Sequence, residues 1–373
     1  MPAMLDWRRA ADARTVVRRA AEALRAGAVV GFPTETGYHL AAAGLSAEAV
    51  ARLRRTADSA PAVAVRGPAE AHDWAPGLSP LGRRLIRRFW PGPLVLECRK
   101  RVAEGLAGRL SEPIQREVYP EGRLLLRCPA HEAVRATLRR LAGPLLLTPA
   151  PGPAEDADHV VRAAGNQVAL VVDDGPALDR RPPTVVRVEG SAWKVVQPGA
   201  VTDGALRRQA ACLVIFVCTG NTCRSPLAEG LLKTRLADRL GCTVAELPER
   251  GFYILSAGLA AASGGPAAEE AVEVARSYGA DLTGHSSRPL SPELAAQADY
   301  LVAMTRSHLA ALVHGCRGLA ARPRLLSPAG EDLPDPIGCA RPVYEECARC
   351  IWACLEPLVE ELLPSASNAV SNG

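Results

Sequence analysis

The 373-residue chain reads as an α/β protein built from two domains. Three observations predict this. Short apolar runs of strand length alternate with amphipathic helical stretches along the chain. The length is ample for two domains of ordinary size, and a hydrophobic content of 48% supports real cores. Near the middle, the buried-type strand Leu213-Val214-Ile215-Phe216-Val217 empties into a polar loop, Cys218-Thr219-Gly220-Asn221-Thr222-Cys223-Arg224-Ser225, and Pro226 then opens a helix.

The elements follow in order. A charged, helix-like stretch runs from Trp7 to Arg25, with Asp12 as the N-cap of an amphipathic helix reaching Ala26. Gly27 to Phe32 reads as a strand, followed by the polar turn Pro33-Thr34-Glu35-Thr36-Gly37-Tyr38. A helix over Ala47 to Arg55 and a strand over Ala62 to Val65 come next. Arg87-Arg88-Phe89 ends a helix, Trp90-Pro91-Gly92-Pro93 makes a rigid turn, and Leu94 starts a strand. Leu124–Arg127, Leu145–Leu147, Val168–Val172 and Thr184–Val188 are further short strands. This alternation predicts a mixed sheet in the first half. Gly199 to Ala211 reads as a short polar connection between the halves.

Composition narrows the function. Net charge is +4, too mild to demand an acidic partner. Lys100, Lys194 and Lys233 are the only lysines, so arginine carries nearly all the positive charge. Aromatics are 4% of the chain, which argues against stacking platforms for single-stranded nucleic acid. The eleven cysteines are scattered, a pattern expected of a reducing cytoplasm rather than a disulfide framework. No signal peptide and no apolar run of membrane-spanning length is evident. Ser365 to Gly373 is small and polar, and is expected to be disordered.

The loop after Val217 carries the chemistry. Five residues between Cys218 and Arg224 let successive backbone N–H groups turn inward around an anion. Gly220 offers a position without a Cβ, and Asn221 tolerates left-handed dihedrals. The following helix points its positive end at the loop, and Arg224 can grip two phosphate oxygens with its planar fork. The same field favours the thiolate of Cys218, and Ser225 can add a hydroxyl donor. The Gly-Lys-Ser/Thr of a nucleotide P-loop is absent. A thiolate under a phosphate-sized site points to phosphoryl transfer to sulfur. The leaving group needs a proton from a carboxyl on another loop. Asp335, braced in Leu333-Pro334-Asp335-Pro336, is the candidate general acid.

Cys223 has two readings: a partner that traps Cys218 as a reversible disulfide, or a small buried filler. Cys347, Cys350 and Cys354 fall on one face of a C-terminal helix. They read as core side chains, because no fourth ligand or histidine is near in sequence. No metal site is expected.

On these motifs, residues 212–363 resemble the low-molecular-weight protein phosphatases. The resemblance also rests on Ser256-Ala257-Gly258, Ala298–Thr305 and Asp335-Pro336. It implies a small parallel, Rossmann-like sheet with its site at the strand C-terminal ends. It implies that Cys218 forms a phosphocysteine, Arg224 holds the phosphoryl group, Ser225 supports the thiolate and Asp335 acts as acid, then base. Thr219, Gly220, Asn221, Thr222 and Cys223 complete the phosphate loop, with Asn221 holding its shape. No cofactor is implied. Tyrosine-directed members carry a bulky aliphatic residue where this chain has Thr222. The spelling Cys-Thr-Gly-Asn-Thr-Cys-Arg-Ser-Pro is similar to the bacterial protein-arginine phosphatases, so phosphoarginine is expected, with phosphotyrosine as competitor. Cys316 is the one candidate for the extra relay cysteine of an arsenate reductase, and its surroundings do not match.

The Pro33–Tyr38 turn and Phe89-Trp90-Pro91-Gly92-Pro93-Leu94 resemble the YrdC-like threonylcarbamoyl-AMP synthases, over about residues 5–202. That resemblance implies ATP, threonine and bicarbonate as ligands, a tRNA modification as the purpose, and a face able to bind RNA, double-stranded RNA included. Thr34, Thr36, Tyr38, Arg54, Thr148 and Thr184 fall at the family's ligand positions. The copy departs from the pattern there. Lys-x-Arg falls at Arg54-Arg55-Thr56, Ser-x-Asn at Thr148-Pro149-Ala150, a Ser-Thr pair at Pro183-Thr184, and an arginine at Gln197. An impaired synthase module fused to a working cytoplasmic phosphatase is therefore expected. The alternative is an active synthase whose phosphatase half only senses phosphorylated ligands.

Overall fold

The computed structural model describes residues 1–9, 12–57, 59–99, 105–315 and 323–363. Lys100, Cys316 and the Ser365–Gly373 tail lie outside them. The chain divides into two compact units, residues 1–210 and 211–373.

The first unit is built on ten strands: β1 (Ala3–Asp6), β2 (Val30–Thr34), β3 (Gly37–Ala43), β4 (Ala62–Ala64), β5 (Leu94–Arg99), β6 (Arg123–Arg127), β7 (Leu145–Pro149), β8 (Leu170–Asp173), β9 (Thr184–Glu189) and β10 (Ala192–Gln197). They lie in the order β1-β8-β2-β3-β7-β4-β6-β5-β9-β10. Parallel pairs such as β1 with β8 and β4 with β6 mix with antiparallel pairs such as β2 with β3 and β3 with β7. The sheet is apolar on both sides because alternate residues face separate clusters. Leu40, Val63, Leu126 and Leu146 pack on one face, and Phe32, Ala41, Ala64 and Leu147 on the other.

Two local expectations are corrected. The N-terminal stretch is not helical from Trp7. Ala3–Asp6 is a strand paired to β8, and the helix starts at Ala13, where the Asp12 side chain caps the Arg14 N–H at 2.9 Å. The supposed polar connection contains a helix, Asp203–Ala210, whose Leu206 is wholly buried in the core of the first unit. The polar spacing hid it, since only Leu206 and Ala210 face inward.

The second unit has four strands: β11 (Cys212–Cys218), β12 (Phe252–Gly258), β13 (Tyr300–Ala303) and β14 (Arg324–Leu325). Their order is β12-β11-β13-β14, and every pair is parallel. Helices cover both faces, so β11 is buried along its whole length. Burying a side chain such as Phe216, which has no exposed surface, is worth about 2–3 kcal/mol. All strands point the same way, which brings their C-terminal ends, and the loops after them, to one edge. In the long helix Arg341–Leu362, Cys347 is fully buried, whereas Cys350 and Cys354 are only partly so. All three belong to the same core cluster, with Cys347 inside it and Cys350 and Cys354 packed at its edge.

Candidate active site

β11 ends at Cys218, and the helix Arg224–Leu240 begins six residues later. The loop between them folds over the sulfur. Cys218 is 3% exposed, its Sγ accepts the Asn221 backbone N–H at 3.2 Å, and the Ser225 hydroxyl lies 2.9 Å away. The tight turn is carried by Asn221, at φ 58°. Gly220 does not carry it: it is not left-handed, and a Cβ there would meet nothing nearer than Thr222 Oγ1 at 3.7 Å. The indispensable glycine is Gly258 at the end of β12, where a Cβ would fall 2.4 Å from the Thr219 carbonyl oxygen.

Asn221 is wholly buried and fully used. Its amide nitrogen donates to Ser225 Oγ at 2.9 Å and Ser256 Oγ at 2.8 Å, and its Oδ1 accepts the Arg288 N–H at 2.9 Å. Ser256 in turn donates to Glu229 Oε2 at 2.6 Å, and Glu229 pairs with Lys233. His285 Nε2 donates to the Asn221 carbonyl at 2.8 Å. A left-handed, buried loop residue is thus fixed from five directions. Of these supports, Ser256 stood in a sequence motif. Glu229, His285 and Arg288 carry no pattern that spacing alone would reveal.

Arg224 is almost buried and donates from Nη2 to Asp335 Oδ2 at 2.6 Å, whose carboxylate is about half exposed. The proposed phosphate-gripping and proton-donating groups therefore meet. Cys223 and Cys218 are both free thiols. The Cys223 Sγ lies 3.4 Å from the Tyr344 hydroxyl and 3.6 Å from Thr222 Oγ1. Burial, followed by the adjacent Cys223, pushes the Tyr344 phenol up from its usual range. Thr219 is exposed and meets His308 Nε2 at 2.8 Å.

Comparisons with known proteins match both units of the chain. The family model described as low molecular weight phosphotyrosine protein phosphatase matches residues 213–367, and the Sua5/YciO/YrdC model, described as telomere recombination, matches residues 22–199. The low molecular weight protein-tyrosine-phosphatase Etp of Escherichia coli K12 is 31% identical over 35% of this chain and 82% of its own length. A Bacillus subtilis protein-arginine-phosphatase is 44% identical over 26% of this chain and 57% of its own length. A Mycobacterium tuberculosis protein, provisionally assigned as a threonylcarbamoyl-AMP synthase, is 30% identical over 48% of this chain and 82% of its own length. The chain belongs to both families. It is a low-molecular-weight phosphatase fused to a Sua5/YrdC-like domain.

In the Sua5/YrdC-like unit the sequence-predicted ligand residues fall into separate hydrogen-bonded groups. Thr34 and Thr36 gather around Arg127, which is 1% exposed and was not singled out from sequence. Arg127 Nη2 donates to Thr36 Oγ1 and Glu35 Oε1, both at 2.8 Å, and Nη1 donates to His39 Nε2. Since a guanidinium only donates, His39 Nε2 accepts, and its proton sits on Nδ1, 3.1 Å from Thr34 Oγ1. Burial, then the Arg127 charge, holds His39 well below its usual value, so the ring is neutral. Burial works to raise the Glu35 carboxyl, but Arg127 and the Ala130 N–H outweigh it and hold Glu35 below the usual range.

The other four residues are spent elsewhere. Tyr38 and Leu40 share the opposite face of β3 from His39, and the Tyr38 hydroxyl donates to the Gly175 carbonyl at 2.9 Å. Arg54 pairs with Glu117 at 2.9 Å and donates to the Ser59 carbonyl at 2.6 Å. Thr148 donates to that same carbonyl at 3.3 Å. Thr184, without exposed surface, is clamped to both backbone groups of Val201 at 3.1 and 2.9 Å. Propensity and motif spacing cannot distinguish a hydroxyl that faces a ligand from one that staples two chain segments. Among the described residues, no acidic or sulfur–imidazole cluster fit for a metal ion occurs, and no helix is long and apolar enough to cross a membrane.

Proposed function

We propose that the C-terminal unit removes phosphoryl groups from phosphorylated protein side chains through a phosphocysteine on Cys218, with phosphoarginine preferred over phosphotyrosine. The observation that carries this is the Cys218 sulfur, which meets the Asn221 N–H and the Ser225 hydroxyl beneath a loop rimmed by Arg224 and Asp335. Cys218 sulfur attacks phosphorus in line as the bond to the leaving nitrogen or oxygen breaks. Asp335 gives that atom its proton. Water then attacks the phosphocysteine, returns its proton to Asp335, and frees inorganic phosphate and the thiolate. Arg224 and the loop N–H groups, backed by the helix dipole, hold the three equatorial oxygens throughout. No cofactor takes part.

The preference rests on Thr222, small, hydroxyl-bearing and half-buried at the loop wall, and on the relative named as a protein-arginine-phosphatase. The purified full chain, assayed on matched phosphoarginine and phosphotyrosine peptides beside Cys218→Ser, tests both parts. Activity on neither, or activity that survives Cys218→Ser, defeats the reading.

For the N-terminal unit we infer an impaired synthase that retains at most nucleotide or RNA binding, double-stranded RNA included, in a cytoplasmic protein. Supporting this, Arg54 is engaged by Glu117 and Thr184 by Val201. ATP- and threonine-dependent pyrophosphate release, with bicarbonate supplied, would overturn it.

A further inference from the structure

The segment leaving β13, Met304-Thr305-Arg306-Ser307-His308, touches both halves of the reacting site. On one side the Met304 N–H donates to the carbonyl of Val217, the residue before Cys218, at 3.2 Å. His308 Nε2 meets the hydroxyl of Thr219, the residue after Cys218, at 2.8 Å. On the other side the Met304 carbonyl accepts the Leu333 N–H at 3.1 Å, and the Arg306 N–H donates to Asp332 Oδ1 at 2.6 Å. Leu333 and Asp332 lead directly into Asp335. Five residues therefore hold the nucleophile and the acid at once.

Two of these four ties are backbone–backbone bonds, and a third uses the Asp332 carboxylate. The one to Thr219 is different, because it runs between two side chains. His308 is 5% exposed, and its second nitrogen, Nδ1, meets Thr305 Oγ1 at 2.9 Å. The Thr305 hydroxyl also accepts the His308 backbone N–H at 3.3 Å and lies 2.8 Å from Ser307 Oγ. A neutral imidazole offers one donor and one acceptor, which matches a chain of two hydroxyls. Burial, then the charge of Arg224, favours that neutral form. Thr219 is otherwise exposed, so the His308 contact is what anchors its hydroxyl to the β13 exit.

We propose that His308 is a positioning residue: by holding Thr219 against the β13 exit it keeps the Cys218 loop in register with the Asp335 loop. It touches neither phosphorus nor the leaving group. Its effect is on how well attack and proton transfer line up, and a small misalignment of that kind costs up to about a hundredfold in rate. This inference rests on the phosphatase reading above.

The test uses the full chain and an aryl phosphate, with inorganic phosphate as competing ligand. His308→Ala is expected to lower kcat by about tenfold or more while inhibition by inorganic phosphate stays within about twofold. His308→Gln, whose amide can reach the Thr219 hydroxyl, is expected to recover most of the loss. Thr219→Val is expected to reproduce it, and the His308→Ala/Thr219→Val double variant to be no worse than the poorer single one. An unchanged kcat in His308→Ala, additive losses in the double variant, or no recovery by glutamine overturns the proposal. If His308→Ala fails to fold, Thr219→Val and His308→Gln decide it. A wild-type chain inactive on the aryl phosphate overturns the phosphatase reading itself, whereas an active one with an indifferent His308 overturns only this inference.

Discussion

Arg224 Nη2 and Asp335 Oδ2 lie 2.6 Å apart, so the proposed anion holder and the proposed proton donor are each other's partners before substrate arrives. On the proposed mechanism, an incoming phosphoryl group would replace one anion by another at the guanidinium and set the carboxyl free to face the leaving atom. The pair itself adds little stability, since Asp335 is about half exposed. Asp335→Asn should lower kcat on phosphoarginine or phosphotyrosine peptides by about 10²–10⁴-fold. Inorganic phosphate should bind it at least as well, because no carboxylate competes for Arg224. Steady-state kinetics with phosphate inhibition measure both.

The wall of the loop sets the second prediction. Thr222 is half-buried, with its carbonyl fixed by the Ala268 N–H at 2.9 Å, so a longer side chain cannot retreat by moving the backbone. Thr222→Ile adds apolar surface beside the leaving group. The ratio of kcat/KM for phosphotyrosine over phosphoarginine should rise by about tenfold or more, a size typical of one added methyl contact. An unchanged ratio refutes the specificity argument.

Asn221 combines a left-handed backbone with three buried side-chain hydrogen bonds. Asn221→Ala loses those bonds and strains the turn, for a destabilisation of about 2–4 kcal/mol. Asn221→Gly relieves the strain but not the lost bonds, so it should fall between wild type and alanine. Urea unfolding of the full chain orders the three.

These positions also show what the sequence could reveal. The strand, the loop and the helix after it were legible because each needs a distinct residue class: β-branched and aromatic residues for β11, a left-handed-tolerant Asn221, and Pro226 in the helical first turn. The parallel second sheet came only with the family resemblance. The helix Asp203–Ala210 was hidden by its polarity, and the strand Ala3–Asp6 by its shortness. In the N-terminal unit, Arg127 escaped notice because an arginine ending an apolar strand looks like an exposed end. Only the tertiary structure places His39, Glu35 and two threonines around it.

His39 gives a pH prediction. It stays neutral in the folded chain, held well below its usual value, while in the unfolded chain it takes up a proton near pH 6.5. Below that pH the unfolded state binds more protons, so its contribution to stability is present above about 6.5 and is lost as pH falls. The slope from this one residue is at most about 1.4 kcal/mol per pH unit. His39→Asn removes the titrating ring and should flatten the acid side of the stability profile. Calorimetry at pH 5 to 7 on both chains checks this, and an identical slope contradicts it.

The central claim is that the Cys218 sulfur becomes covalently bonded to phosphorus during turnover. Acid-quenching the full chain within its first turnovers on a phosphoarginine or phosphotyrosine peptide, then mapping it by mass spectrometry, tests this directly. One phosphoryl group on the peptide carrying Cys218, enriched in Asp335→Asn and missing from Cys218→Ser, is the predicted result. Steady turnover with that peptide always unmodified, or with the phosphoryl group on another residue, would contradict the account.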